Sequence, residues 1–226
     1  MVSILLSFGI MTGGVIAAFI GLRDPNHFPI RTVEIRDELK RIGEPQIAEA
    51  IAPYLDKGFF GLNVGGVQQN IMNLPWVASA SVKRIWPDKL LVSIQEQTPQ
   101  ARFGEDGILN TEGVVFYPGK EFIPRNLPHF KGPSERAKEM LQQYHMILEA
   151  LGPVGLSIAE LELAPNGVLR VSLGNGIAIV LGKAEYNERL ARFVLAYQST
   201  LHSLLPKIAY VDLQYTNGLA IGWKEL

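Results

Sequence analysis

The chain has 226 residues, enough for one large domain or two small ones, and 47% are hydrophobic, so we expect a folded protein with a sizeable core. Its 21 basic and 22 acidic residues give a net charge of −1. This balance excludes a nucleic-acid-binding protein that relies on phosphate contacts, because such proteins carry a basic excess. The sequence contains no cysteine, which excludes disulfide scaffolds, thiol catalysis and zinc–thiolate sites.

The N-terminal segment is apolar, and residues 1–22 include no Asp, Glu, Lys or Arg. As a helix it would span about 33 Å, which matches a bilayer core of about 30 Å. We therefore predict an uncleaved transmembrane anchor over residues 1–23. A cleaved signal peptide is the alternative, but its apolar stretch is normally only about 7–15 residues long. Gly9, Gly13 and Ala17 form a stripe of small residues that would let this helix pack closely against another, although such residues are common in membrane helices anyway.

Residues 24–98 show a β-α-α-β-β order, which predicts a small three-stranded sheet covered on one face by two helices. Val33 and Ile35 alternate with polar residues and indicate the first strand. A Trp86–Lys89 turn with proline at its second position joins the last two strands. The predicted elements are a strand over residues 32–36, a helix from Pro45 that ends or kinks at Pro53, a helix over residues 67–74, and hairpin strands over residues 78–83 and 90–95.

Residues 99–226 predict a mainly antiparallel β domain with two helices, so the whole chain belongs to the α+β class. Apolar residues at i+3 and i+4 spacing indicate helices over residues 137–151 and 186–204. Strands are predicted over residues 101–103, 107–110, 114–117, 158–163, 169–173, 177–181, 208–215 and 219–223. Asn217-Gly218 is typical of a two-residue hairpin turn. Such a turn would pair Thr216 with Leu219, Tyr215 with Ala220 and Gln214 with Ile221.

No sequence motif of a catalytic, nucleotide-binding or metal site is present. The four histidines are scattered and form no H-x-x-x-H pair, and the chain contains no G-x-S-x-G, S-x-x-K or P-loop. We therefore predict no catalytic residues, no metal and no cofactor. A membrane-anchored periplasmic enzyme of envelope metabolism remains the alternative, because a site built from residues distant in sequence leaves no motif.

Several segments taken in order resemble the FtsQ/DivIB family of bacterial cell-division proteins. Those that resemble the family's POTRA domain and its exit are Leu74-Pro75-Trp76-Val77, Val82-Lys83-Arg84-Ile85-Trp86-Pro87-Asp88-Lys89-Leu90, Glu96 and Pro99 to Phe103. Those that resemble its β domain are Leu127-Pro128, Gly132-Pro133, Leu181-Gly182-Lys183, Arg189-Leu190-Ala191-Arg192-Phe193, Tyr210-Val211-Asp212-Leu213 to Gly218, and Gly222-Trp223. Phe103 stands where many relatives have Trp, and Asn63 where an Asp often opens the second POTRA helix. Phe keeps the aromatic packing and Asn can still cap a helix, so neither departure threatens the fold.

The resemblance implies a non-enzymatic scaffold of the divisome, anchored once in the inner membrane at the division septum. Its N-terminus would be cytoplasmic and its bulk periplasmic, although Arg23 directly after the apolar segment would by itself favour the opposite orientation. Members of the family bind the single-pass proteins FtsB and FtsL. Through them they link early division proteins to the septal peptidoglycan synthase.

The last predicted strand is a candidate docking site, because a strand at a sheet edge offers unpaired N–H and C=O groups to an incoming strand. The resemblance implies that FtsB binds this C-terminal hairpin. The candidate partner-binding residues are Tyr215, Asn217, Gly218, Leu219, Ala220, Ile221 and Trp223. Alternation along a strand means that some of them fill the core instead. The strand from Ile30 to Arg36 is a second candidate edge, and the charged residues Lys83, Arg84, Asp88 and Lys89 are more simply explained as a solvated face.

Overall fold

The structure, a computed structural model, describes residue 21 and residues 27–224. Apart from Gly21, the predicted anchor lies outside these residues, as do Gly9, Gly13 and Ala17 of its small-residue stripe. Within the described part of the chain, no helix combines the length and the apolar character needed to cross a membrane. The chain divides between Gln97 and Thr98 into two compact units.

The first unit is a three-stranded sheet with helices between its first and second strands. Its elements are β1 (Thr32–Ile35), α1 (Glu44–Leu55), α2 (Gly58–Gly61), α3 (Val64–Met72), β2 (Val77–Ile85) and β3 (Lys89–Glu96). The strand order is β1-β3-β2, with β1 parallel and β2 antiparallel to β3. The short helix α2 was not predicted. The expectation that α1 ends at Pro53 is wrong, since the helix continues to Leu55. Proline can be part of this last turn because its fixed φ is itself helical.

Both longer helices of the first unit bury an apolar face, α1 through Ile47 and Ile51 and α3 through Val67 and Ile71. In β3, buried Leu90, Val92 and Ile94 alternate with more exposed residues, so one face of the sheet lies in the core. Asn63 caps α3, since its Oδ1 accepts a hydrogen bond from the Gly66 backbone N–H at 3.0 Å. The capping role predicted for this asparagine is therefore confirmed.

The Glu96 carboxylate, at the end of β3, holds the loop that leads into α1. Its Oε1 accepts the backbone N–H groups of Arg41 at 2.7 Å and Ile42 at 2.8 Å, and its Oε2 accepts that of Lys40 at 3.0 Å. The Arg41 guanidinium lies 4.3 Å from the centre of the Trp76 ring, within cation–π range. One carboxylate thus satisfies three backbone donors that the loop would otherwise expose.

The second unit contains a nine-stranded mixed sheet with two main helices. Its strands are β4 (Pro99–Phe103), β5 (Gly107–Asn110), β6 (Val115–Phe116), β7 (His129–Lys131), β8 (Ile158–Leu163), β9 (Leu169–Leu173), β10 (Ala178–Gly182), β11 (Ile208–Asp212) and β12 (Ala220–Trp223). The order is β12-β11-β10-β9-β8-β7-β4-β5-β6. β7, which was not predicted, is parallel to both β4 and β8, and β10 is parallel to β11. The other pairs are antiparallel.

The helices of this unit are α4 (Ala137–Leu151), α5 (Tyr186–Ala196) and α6 (His202–Leu204). The segment predicted as a helix over residues 186–204 is helical throughout, but a π-helical stretch, Tyr197–Leu201, separates α5 from α6. Serine hydroxyls bond to backbone carbonyls here and compete with the regular helical pattern. Large side chains that are fully buried on α4 and α5 or on the sheet include Met140, Ile147, Leu151, Phe193, Phe130 and Leu161.

An ion pair stabilises the beginning of α4. The Arg136 guanidinium donates from Nε and Nη2 to the two carboxylate oxygens of Glu139, at 2.7 and 2.6 Å. These hydrogen bonds hold the pKa of Glu139 below its ordinary value of 4.5 and raise the pKa of Arg136. Both side chains are more than two-fifths exposed, so the pair is a surface interaction of modest energy.

Candidate partner-binding edge

Strand β12 forms one edge of the nine-stranded sheet. It pairs with β11 on one side, and within residues 27–224 no strand pairs with its other side. The antiparallel register places Ala220 opposite Asp212, Ile221 opposite Val211 and Gly222 opposite Tyr210. The outer backbone groups of β12 are therefore open to an added strand.

The predicted two-residue hairpin is wrong. β11 ends at Asp212 rather than Tyr215, and residues 213–219 form a longer loop before β12. Neither Asn217 nor Gly218 has the positive φ that a type I′ turn requires. The predicted partners of Leu219, Ala220 and Ile221 therefore lie in the loop, and the true register is shifted along the strand.

Arg192 on α5 explains the longer loop. Its Nη1 donates to the carbonyl oxygen of Thr216 at 2.7 Å, and its Nη2 donates to those of Tyr215 at 3.0 Å and Leu213 at 3.4 Å. The N–H of Leu213 bonds to Val180 of β10 at 2.9 Å. Since these carbonyls point to the helix, they cannot pair with β12, and the strand pairing ends at Asp212. Asp212 also accepts the Gln214 N–H through its Oδ1, at 2.9 Å, which turns the chain away from the strand.

The seven predicted site residues lie together at this edge but differ in exposure. Tyr215 and Trp223 are 58% and 54% exposed, and Asn217 is exposed in the loop. Leu219 and Ile221 are half-buried and pack against the core. Gly218 and Ala220 are half-buried between these groups. The aromatic pair and Asn217 are thus available to a partner, whereas Leu219 and Ile221 also support the sheet.

A shallow depression of about 410 Å³ lies beside the edge strand. Its lining residues are Tyr215, Thr216, Asn217, Gly218, Leu219 and Ala220. All except Thr216 belong to the predicted set. The depression provides a concave surface next to the open backbone of β12, where a partner side chain could insert.

Tyr210 belongs to the same surface and was not predicted. Its ring lies directly over Gly222 on the neighbouring strand, in the space that a Cβ at position 222 would occupy. Such packing of an aromatic ring over a strand glycine fills the gap left by the missing side chain. Tyr210-Val211-Asp212-Leu213 and Gly222-Trp223 were both recognised in the sequence. Which of their residues lie opposite each other depends on the strand register, and the predicted two-residue turn gave the wrong register.

Two other sheet edges of the described chain, β1 and β6, are better protected than β12. β6 has only two residues, and β1 carries Glu34, whose carboxylate bonds to the Lys89 ammonium at 2.7 Å. Short edges and edge charges both discourage strand addition. β12 has no charged residue between Ala220 and Trp223. No group of acidic or histidine side chains in the described residues has the geometry of a metal site.

Two family models match the chain over most of its length. The model for the FtsQ-type POTRA domain matches residues 28–97, and the model for the C-terminal part of the cell division protein FtsQ/DivIB matches residues 100–214. The chain belongs to the FtsQ/DivIB family. The resemblance drawn from the sequence is therefore confirmed, together with the predicted role as a scaffold in cell division.

Three individual relatives, each named cell division protein FtsQ, support the same FtsQ/DivIB assignment. The cell division protein FtsQ of Coxiella burnetii is 31% identical over 93% of this chain and 87% of its own length. The FtsQ proteins of Allochromatium vinosum and Shewanella oneidensis are both 36% identical, over 92% and 90% of this chain and 83% and 78% of their own lengths. The solved extracytoplasmic domain of DivIB from Geobacillus stearothermophilus is 16% identical, with a TM-score of 0.32 over 46% of this chain and 95% of that domain.

Proposed function

We propose that this FtsQ/DivIB family member is a single-pass inner-membrane scaffold that binds an FtsB-like partner along β12 by strand addition. An FtsL-like protein would join through the same complex, and the assembly would link early division proteins to septal peptidoglycan synthesis. The uncharged segment over residues 1–22 supports the membrane anchor. The open edge of β12 is the observation that carries the partner site.

The chemistry of the edge fits a β-strand partner. Each backbone hydrogen bond gained by an added strand contributes about 1 kcal/mol net, so four strand residues alone give only modest affinity. Further affinity has to come from side chains, and exposed Tyr215 and Trp223 are of the types that dominate interface energetics. The depression next to Tyr215 would accept an apolar side chain of the partner, which would set the register of the added strand.

Calorimetry of the full chain in detergent micelles against the periplasmic segment of its FtsB-like partner tests this proposal. We expect Tyr215→Ala and Trp223→Ala each to weaken binding about 30-fold, which corresponds to about 2 kcal/mol for an interface anchor. The matched control is Tyr117→Ala, since Tyr117 is 57% exposed and follows β6 at the opposite edge of the same sheet. It should leave the affinity unchanged.

Thermal unfolding of each variant shows whether it is folded, and these exposed residues should change stability by no more than about 0.5 kcal/mol. If both folded variants bind as tightly as the unaltered chain, the edge site is wrong. If the unaltered chain does not bind the segment, the proposed partner is wrong.

A further inference from the structure

In the first unit, the residues that lead into β1 and the turn between β2 and β3 lie at the same end of the sheet. β1 runs parallel to β3 with Thr32 opposite Lys89, so β1 begins where β3 begins, directly after the β2–β3 turn. The backbone N–H of Arg31 bonds to the carbonyl of Asp88 in that turn at 2.9 Å. The residues directly before β1 therefore lie on the same side of the unit as this turn.

Several large apolar side chains lie at this end. Trp86 at the turn is 70% exposed, Ile85 beside it 43%, and Phe60 of α2 38%. The rings of Phe28 and Phe60 meet edge to face, with their centres 5.2 Å apart. We call Phe28, Phe60, Ile85 and Trp86 the aromatic tip. Large apolar side chains grouped at one end of a unit mark an interaction surface.

Backbone contacts hold the aromatic tip in place. The Phe59 N–H bonds to the Phe28 carbonyl at 2.7 Å, which fixes the entering chain against α2. The Arg84 Nη1 donates to the Phe59 carbonyl at 3.0 Å and its guanidinium faces the Phe59 ring, which ties β2 to α2. The exposed rings are therefore part of a supported structure and not isolated side chains on a free loop.

Two ammonium groups at this end are paired with carboxylates. The ammonium of Lys57 pairs with Asp56 at 3.3 Å, and that of Lys89 pairs with Glu34 at 2.7 Å. Exposed aromatic rings suit a zwitterionic lipid surface, because their insertion needs no electrostatic attraction.

Chain length fixes how far the tip can lie from the membrane. The uncharged segment ends at Leu22, and a fully extended chain from there to Phe28 spans at most about 22 Å. The headgroup layer itself adds about 5–8 Å on each side of the hydrocarbon core. A membrane anchor in residues 1–22 therefore keeps the tip close to the lipid surface at all times.

We propose that the aromatic tip docks into the headgroup region of the membrane in which the chain is anchored. This rests on the single-pass anchor of the proposed function. Tryptophan prefers this region because its ring is apolar while its N–H can still bond to water or headgroups. Docking would fix the orientation of the first unit relative to the membrane, with the β2–β3 turn facing the lipid.

Trp86 provides the test, since its fluorescence is quenched by bromine only at close range. The full chain is reconstituted into vesicles of phosphatidylcholine with brominated or with ordinary acyl chains, and flotation shows which chains are membrane-bound. We expect brominated lipid to quench the emission of the unaltered chain, and Trp86→Phe to abolish that quenching. Trp223→Phe is the matched control, because it removes an exposed tryptophan of the second unit, and it should keep the quenching. The quenching should also persist in high salt.

The outcomes separate the two proposals. A chain that floats with the vesicles but is not quenched, or whose quenching survives Trp86→Phe, overturns the docking of the tip and leaves the anchor intact. A chain that does not float overturns the anchor and the docking together. Partner binding at β12 is measured separately and does not depend on either result.

Discussion

Arg192 allows a direct test of how the loop before the edge strand is held. Its guanidinium donates to three loop carbonyls, two of them at 3.0 Å or less. We expect Arg192→Gln to loosen residues 213–219 without unfolding the second unit, because the shorter amide cannot reach all three acceptors. The buried side chains of Leu213 and Val211 should remain in the core.

The magnitude follows from the two short bonds. A hydrogen bond from a charged donor contributes about 1.5–3 kcal/mol, but these carbonyls lie near the surface and can bind water once released. Counting that compensation, the loop should lose about 1–3 kcal/mol of local stability, so its protected amides should exchange about 5- to 150-fold faster. Hydrogen exchange followed by mass spectrometry measures this directly.

A matched control separates the loop contact from the loss of a surface charge. Arg170→Gln removes an arginine of β9 whose only ion pair among the described residues is a long one, 3.5 Å from Glu162. It should leave exchange at residues 213–219 unchanged. If Arg192→Gln also leaves that exchange unchanged, the guanidinium does not hold the loop, and our explanation for the end of β11 at Asp212 is refuted.

Three further predictions concern stability. Gly222→Ala should lower the stability of the second unit by about 1–3 kcal/mol, because the new methyl group displaces the Tyr210 ring. Gly218→Ala, where a methyl group would meet open space, should change thermal unfolding little. Glu96→Gln should destabilise the first unit by about 1–3 kcal/mol, since three backbone donors lose a charged acceptor, and the amides of residues 40–42 should exchange faster. Glu139→Gln should cost at most about 1 kcal/mol at neutral pH, because the pair is largely exposed. The pKa of Glu139 is lowered in the folded state, so its contribution is complete above the unfolded value near 4.5 and is lost as pH falls through the folded value; urea titrations of both forms should converge in acid.

Elements with a strong periodic pattern could be predicted from the sequence. α4 is found at the predicted residues, and the β2–β3 hairpin lies where alternation and the proline turn placed it. β7 could not be found in this way, because three residues are too few to show alternation. Its parallel pairing with β4 and β8 depends on contacts between segments far apart in the chain, which no local pattern encodes.

The structure brings the candidate site residues together at one sheet edge, but in a different geometry from the predicted one. Asn217-Gly218 normally indicates a tight turn, yet here a side chain from α5 captures the carbonyls that the turn would need. Arg192 was visible in the R-L-A-R-F segment, but its role depends on the packing of α5 against the sheet, as the burial of Phe193 shows. A tertiary contact thus overrode a strong local preference.

The contacts that order β12 should also affect how tightly it binds a partner strand. When the edge strand is already ordered, it loses less conformational entropy as a partner strand binds, so binding is tighter. A two-residue turn would order β12 through its own backbone, but would leave no room for the depression beside Tyr215. The longer loop held by Arg192 provides that concave surface while still fixing the strand, and Tyr210 over Gly222 stiffens the outer face. If this reasoning is correct, Arg192→Gln should weaken partner binding even though the guanidinium faces the loop and not the open edge, and Arg170→Gln should not.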